Sequence, residues 1–130
     1  MDKELKEYLI ETMPSKSLIE KCDEIDNIIT NQLNIKSFIC PTARETVSIQ
    51  FEYDQKNGTY LEFEILEIAF EYIIEYFFEY SDSSKFKGDY IDGKCSEKKM
   101  IEIIKNFYEL DEISFGKYLK EIGGTKWTGC

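Results

Sequence analysis

The chain has 130 residues, 42% of them hydrophobic and 15% aromatic, with 26 acidic against 16 basic side chains and no histidine. That apolar content excludes a disordered chain, and the length suits a single domain, residues 1–130, with a core that needs neither disulfides nor metal. A net charge of −10 repels nucleic-acid phosphate and anionic lipid, which argues against direct binding to either, and the lack of histidine removes Ser-His and Cys-His nucleophile pairs and His-anchored metal sites.

Residues 2–12 carry Leu5, Tyr8 and Leu9 on one side of a short helix that Asp2 caps and Pro14 ends. Ser17-x-x-Glu20 has the form of a capping box, in which hydroxyl and carboxylate each accept a bond from an unpaired backbone N–H of the first turn. A second helix begins there, because Leu18, Cys22, Ile25, Ile29 and Leu33 recur at spacings of four and three, and it ends near Asn34. Residues 35–41 are read as a connection.

Thr46 to Tyr53 alternates Val47, Ile49, Phe51 and Tyr53 against Ser48, Gln50 and Glu52, the pattern of a half-buried strand. Asp54 to Gly58 supplies turn chemistry, and Tyr60 to Leu66 continues as the partner strand with Leu61, Phe63 and Ile65 opposite in face to Glu62 and Glu64. Residues 67–80 admit two readings. A helix stacks Glu67, Glu71, Glu75 and Glu79 into one mutually repelling stripe. A strand places Phe70, Tyr72, Ile74, Tyr76, Phe78 and Tyr80 on one apolar face and Glu71, Ile73, Glu75, Phe77 and Glu79 on a mixed one. Aromatic and β-branched enrichment favours the strand, which requires a bend near residues 67–69 that no turn residue marks.

Residues 81–84 read as a loop and 86–94 as a further strand interrupted by Gly88 and Gly93. Ser96 caps a helix with Met100, Ile103, Ile104 and Phe107 on one stripe. Asp111 caps a last helix through Ile122, closed by Gly123-Gly124, and the tail from Thr125 is read as loosely held. The expected class is therefore α+β: N-terminal helices, a three- to four-stranded antiparallel meander and two C-terminal helices.

Cys22, Cys40, Cys95 and Cys130 form no C-x-x-C pair, so zinc and thioredoxin-like spacings are missing, and the glycines compose no phosphate-binding loop. Arg44 is the only arginine, too few for a phosphate clamp. No signal-peptide core and no apolar run of about 20 residues occurs, so a cytoplasmic protein with reduced thiols, no cofactor and no metal is expected. Carboxylate chemistry remains open, with Glu71 and Glu75 or Asp89 and Asp92 as candidate pairs.

The charge is local: residues 60–92 hold nine acids against Lys85 and Lys87, a net of −7. Glu62, Glu64, Glu71, Glu75 and Glu79 beside tyrosines combine acceptors for lysine and arginine with rigid amphipathic area, as interfaces do. Asp82, Asp89 and Asp92, in or near loops, extend the patch. These eight residues are the candidate partner-binding site, and the partner of matching charge is a basic protein. Trp127 is read as a plug for the core.

Helices, an acidic Tyr-rich meander and two closing helices on a chain of this size resemble the small immunity proteins of bacterial toxin systems, including contact-dependent inhibition. The segment FFEYSDSSKFKGDYIDGKCSEKKMIEIIKNFYE, a strand, a polar loop and a helix ending in an aromatic pair, carries the resemblance together with that organisation. The family implies a cytoplasmic, non-enzymatic protein that binds one cognate toxin, often a nuclease with a basic cleft, and blocks it. The alternatives are a phage-encoded nucleic-acid mimic that inhibits a host nuclease, and an enzyme with a carboxylate site.

Overall fold

In a computed structural model, the described residues are 1–13, 15–35, 37–42, 46–52, 60–79 and 90–127. In chain order they form helices α1 (Lys3–Thr12) and α2 (Lys16–Leu33), strands β1 (Phe38–Pro41), β2 (Val47–Glu52), β3 (Tyr60–Ile68), β4 (Glu71–Glu79) and β5 (Tyr90–Cys95), helices α3 (Glu97–Glu109) and α4 (Glu112–Glu121), and strand β6 (Thr125–Trp127). The six strands make one antiparallel sheet in the order of the chain. The class is α+β, but the sheet exceeds three to four strands. β1 lies in the segment read as a connection, and β6 lies in the tail read as loose. Nor do α3 and α4 close the chain, since they sit between β5 and β6. Strands of three and four residues are too short for alternation to register; pairing with β2 and β5 creates them. Pro41, lacking an N–H, is tolerated because β1 is an edge strand.

Alternation sorts the strands into an inner and an outer face. Val47, Ile49 and Phe51 of β2, Leu61, Phe63 and Ile65 of β3, Ile74, Tyr76 and Phe78 of β4 and Ile91 of β5 are all buried. Against them pack Leu9 of α1, Leu18, Ile19, Cys22, Ile25 and Ile29 of α2, Met100, Ile103, Ile104 and Phe107 of α3, and Phe115 and Leu119 of α4. Each such large side chain contributes roughly 1.5–3 kcal/mol by leaving water. Phe78 meets Phe115 edge-on at 4.8 Å between centroids and Phe107 at 6.2 Å, joining β4 to the C-terminal helices. Ile113, in the first turn of α4, is exposed.

Helix ends follow side-chain chemistry. Asp2, Ser96 and Asp111 accept bonds from the backbone N–H groups of Glu4, Lys99 and Ser114, as their positions predicted, and such caps are each worth about 1 kcal/mol. The cap of α2 is Ser15 rather than Ser17: Ser15 Oγ accepts from the Leu18 N–H and donates to Glu67 Oε1 at 2.9 Å. Ser17 donates to the other oxygen of Glu67 at 2.5 Å. A carboxylate of β3 thus sits at the positive end of α2, which the helix dipole favours. The α2 helix ends on Asn34 in the left-handed region, and α4 on Gly123 at φ 104 with Gly124 N–H bonded to Leu119 O.

The segment 71–79 is strand, and the bend falls one step later than expected, at Ala69-Phe70 between the paired residues Ile68 and Glu71. Both turn residues have positive φ, 51° for Ala69 and 67° for Phe70. A two-residue hairpin turn requires that geometry and selects Asn-Gly for it. For residues with a Cβ it costs roughly 1–2 kcal/mol each. The turn was invisible in the sequence because pairing of two nine-residue strands imposes it. The expected turn at 54–58, the loop 81–84 and the start of the strand predicted from Phe86 lie outside the described residues.

Candidate functional site

The described helices contribute their buried side chains to the inner-face core, and among the described residues no helix covers the outer face of the sheet. Strand register places its side chains in rows: Gln50, Glu62, Phe77 and Asp92 lie side by side across β2 to β5, and Ser48, Glu64, Glu75 and Lys94 form the adjacent row. Glu79 stands beside Tyr90 in a third row, and Glu71 lies near the β3–β4 turn. With strands about 4.8 Å apart and same-face residues about 7 Å apart along each strand, Glu62, Glu64, Glu71, Glu75, Glu79 and Asp92 share one patch. Lys94 is the only basic residue at an outer-face position of the described parts of β2 to β5. Asp92 is within β5, inside the strand expected at 86–94. Asp82 and Asp89 lie outside the described residues.

The six acids differ in surroundings. Glu62 accepts a 2.5 Å bond from Ser48, which itself receives one from Gln50 Nε2. Glu64 is buried, only 5% exposed, and accepts from Thr46 Oγ1 at 2.5 Å. By register it belongs to the outer face, yet, like its neighbour Ser48, it is shielded from solvent. Its cross-strand partner is Glu75, a like charge directly opposite, which destabilises a sheet. Glu71 and Glu79 are exposed, and Glu75 and Asp92 are half-buried. None of these four forms an ion pair with another described residue. Glu67, from the same acidic run, occupies an inner-face position and is held by the serines of α2. Those bonds, Ser17 first and then Ser15, hold its carboxyl below the ordinary 4.5.

Between the rows is a hollow of about 330 Å³ lined by Glu62, Glu64, Phe77, Glu79 and Tyr90. The rings of Phe77 and Tyr90 meet edge-on, 5.8 Å between centroids. On the other side of Phe77 lies a smaller hollow of about 180 Å³ lined by Glu75, Phe77, Asp92, Gly93 and Lys94. Carboxylates beside aromatic faces suit an ammonium or guanidinium group, which gains from both ion pairing and the ring quadrupole. Sequence reasoning missed Phe77 and Tyr90 as site residues. The signal for Phe77 was its place as an aromatic among the glutamates of the mixed face; for Tyr90 there was none without the pairing to Glu79.

The pair Glu71 and Glu75, considered for carboxylate chemistry, is separated by about 13 Å along an extended strand. Asp89, the partner considered for Asp92, is outside the described residues. Among the described residues no group of three or more Cys, Asp and Glu is placed to hold a metal ion. Cys22 is buried and Cys95 half-buried, and burial pushes both thiols up to about 12; Cys40 is half-buried at the β1 edge. The side chain of Trp127 and all of Cys130 are outside the description, although the Trp127 backbone pairs with Tyr90. No described helix is long and apolar enough to cross a membrane. Comparison with protein-family models, with curated proteins and with solved structures yields no match.

Proposed function

We propose that this chain is an immunity-type inhibitor, a cytoplasmic binding protein that neutralises a cognate basic toxin by laying the open face of its sheet over the toxin's cationic surface. The observation that carries the reading is the gathering of Glu62, Glu64, Glu71, Glu75, Glu79 and Asp92 at positions of one sheet face on which, among the described residues of β2 to β5, Lys94 is the one cation. A nuclease is the toxin class such a face fits, because the cleft that holds phosphate is lined by lysine and arginine and is blocked by carboxylates presented in the phosphates' stead. The hollow lined by Phe77, Tyr90 and the three glutamates would take one such side chain as the anchor of the complex. An open face of spread carboxylates supports binding over catalysis, which needs convergent groups in an enclosed site. The nucleic-acid mimic acting on a host nuclease uses the same face, and the gene next to this one separates the two.

The test is stopped-flow association with purified basic nuclease domains at rising ionic strength. The on-rate should fall steeply with salt, and changing Glu71, Glu75 and Glu79 together to Gln should lower it by about tenfold or more at low salt. An on-rate indifferent to salt, or full affinity in the triple variant, sinks the reading.

A further inference from the structure

We infer that the β3–β4 hairpin tip is an apolar knob, anchored by Phe70, that seats in a hydrophobic pocket next to the cationic surface of a basic partner protein. Phe70 is 98% exposed, so its ring gains nothing from the fold. It and Ala69 hold left-handed backbone geometry that disfavours both residues, where Asn-Gly would close the same hairpin without strain. Closure alone does not call for a bulky exposed ring at a strained position, so the presence of both there points to use of the ring.

The chemistry next to the tip identifies the occupant. Ile68 is 53% exposed on the outer face, and Leu66 and Ile73, paired in register, continue that apolar end until Glu64 and Glu75 begin the acidic rows. Glu71 stands exposed at the turn itself. A second copy docking through this face as a two-fold dimer would oppose acidic rows to acidic rows. An anionic membrane would be repelled by Glu71 and its neighbours. A protein with an apolar pocket rimmed by lysine or arginine is matched on both counts, with an aromatic anchor inside a charged surround as interfaces are built. The sign of the partner's charge rests on the acidic-face reading above; the pocket rests on the tip alone.

A random peptide library displayed on phage, selected on the immobilised protein, tests this without a known partner. The variants are A69N/F70G, which keeps the hairpin and removes the ring, and E71Q/E75Q/E79Q. Selected peptides should combine Lys or Arg with Leu, Phe or Trp. Synthetic copies should bind A69N/F70G roughly tenfold more weakly, with an unchanged salt slope, whereas the glutamine variant should flatten that slope. The thermal midpoint of A69N/F70G should rise by a few degrees as strain is relieved. A lower midpoint marks the turn as structural and overturns the knob. Basic peptides that bind A69N/F70G as tightly as the unaltered chain also overturn it, while leaving the acidic face standing. Selection that enriches no basic peptide overturns both.

Discussion

Gly93 shows what a single position contributes. In the sequence it looked like an interruption of a strand, yet in the sheet it lies opposite Tyr76, whose ring occupies the space a side chain at 93 would fill. A methyl group there would come 2.5 Å from Tyr76 Cζ. Tyr76 is 1% exposed and has nowhere to go, so Gly93→Ala should cost roughly 1–3 kcal/mol by overpacking, read as a lower urea midpoint with unchanged slope. The requirement could not be read from the chain, because it arises from a contact between strands and not from local backbone preference. Burial of Leu18, Cys22, Ile25 and Ile29 was legible, since a helical stripe needs only spacing. Glu67 was not: its place among the six glutamates hid that it faces α2, and only the register separates it from Glu71 and Glu75.

At the scale of elements, β3 and β4 are the centre of the proposed recognition surface, and their charges work against their own pairing. Glu64 and Glu75 are directly opposed, and like charges in that arrangement destabilise by roughly 0.2–1 kcal/mol. Lys94 opposes Glu75 from its other side, so the repulsion and the attraction lost in Glu75→Gln largely offset each other, and urea titration should give a stability within about 1 kcal/mol of the unaltered chain while capture of a basic partner slows. An association rate that does not fall would count against the surface as a binding element. Alternation made β2 and β3 legible and left 71–79 between strand and helix, while the four helices were legible from their stripes, with the cap of α2 misplaced by two residues. What escaped were the elements held by their neighbours: β1, β6, and the turn at Ala69-Phe70, whose residues have no turn propensity. The candidate site was legible in composition but not in shape, because alternation assigns residues to faces and cannot say which face the helices cover.

For the molecule as a whole, stability is linked to pH through the ion pairs that fasten α1 to α2. The terminal amine of Met1 lies 2.6 Å from Asp26 and 3.2 Å from Asp23, and Lys6 lies 2.8 Å from Asp23. Burial alone would raise the Asp23 carboxyl, but bonds from Lys6 and the amine outweigh it and hold it below 3.8. Burial would likewise lower the amine, and the bonds it donates to Asp26 and Asp23 raise it above 8.0 instead. A depressed carboxyl stabilises above its unfolded value and loses that contribution as pH falls through the folded one; a raised amine stabilises below its unfolded value and loses it as pH rises through the folded one. The difference in stability between the unaltered chain and Asp23→Asn should then be greatest between about 4 and 8. It should be about 1 kcal/mol and should narrow on both sides, most completely in acid, as followed by urea titration across pH. A difference independent of pH would show that Asp23 acts by packing.

Strand order has one further consequence. Because every strand pairs with its neighbour in sequence, the outer-face acids of β3 to β5 are all encoded between Glu62 and Asp92. Partner preference can thus be rewritten within a single contiguous block, by grafting or by divergence, while the helical scaffold behind it keeps the same residues.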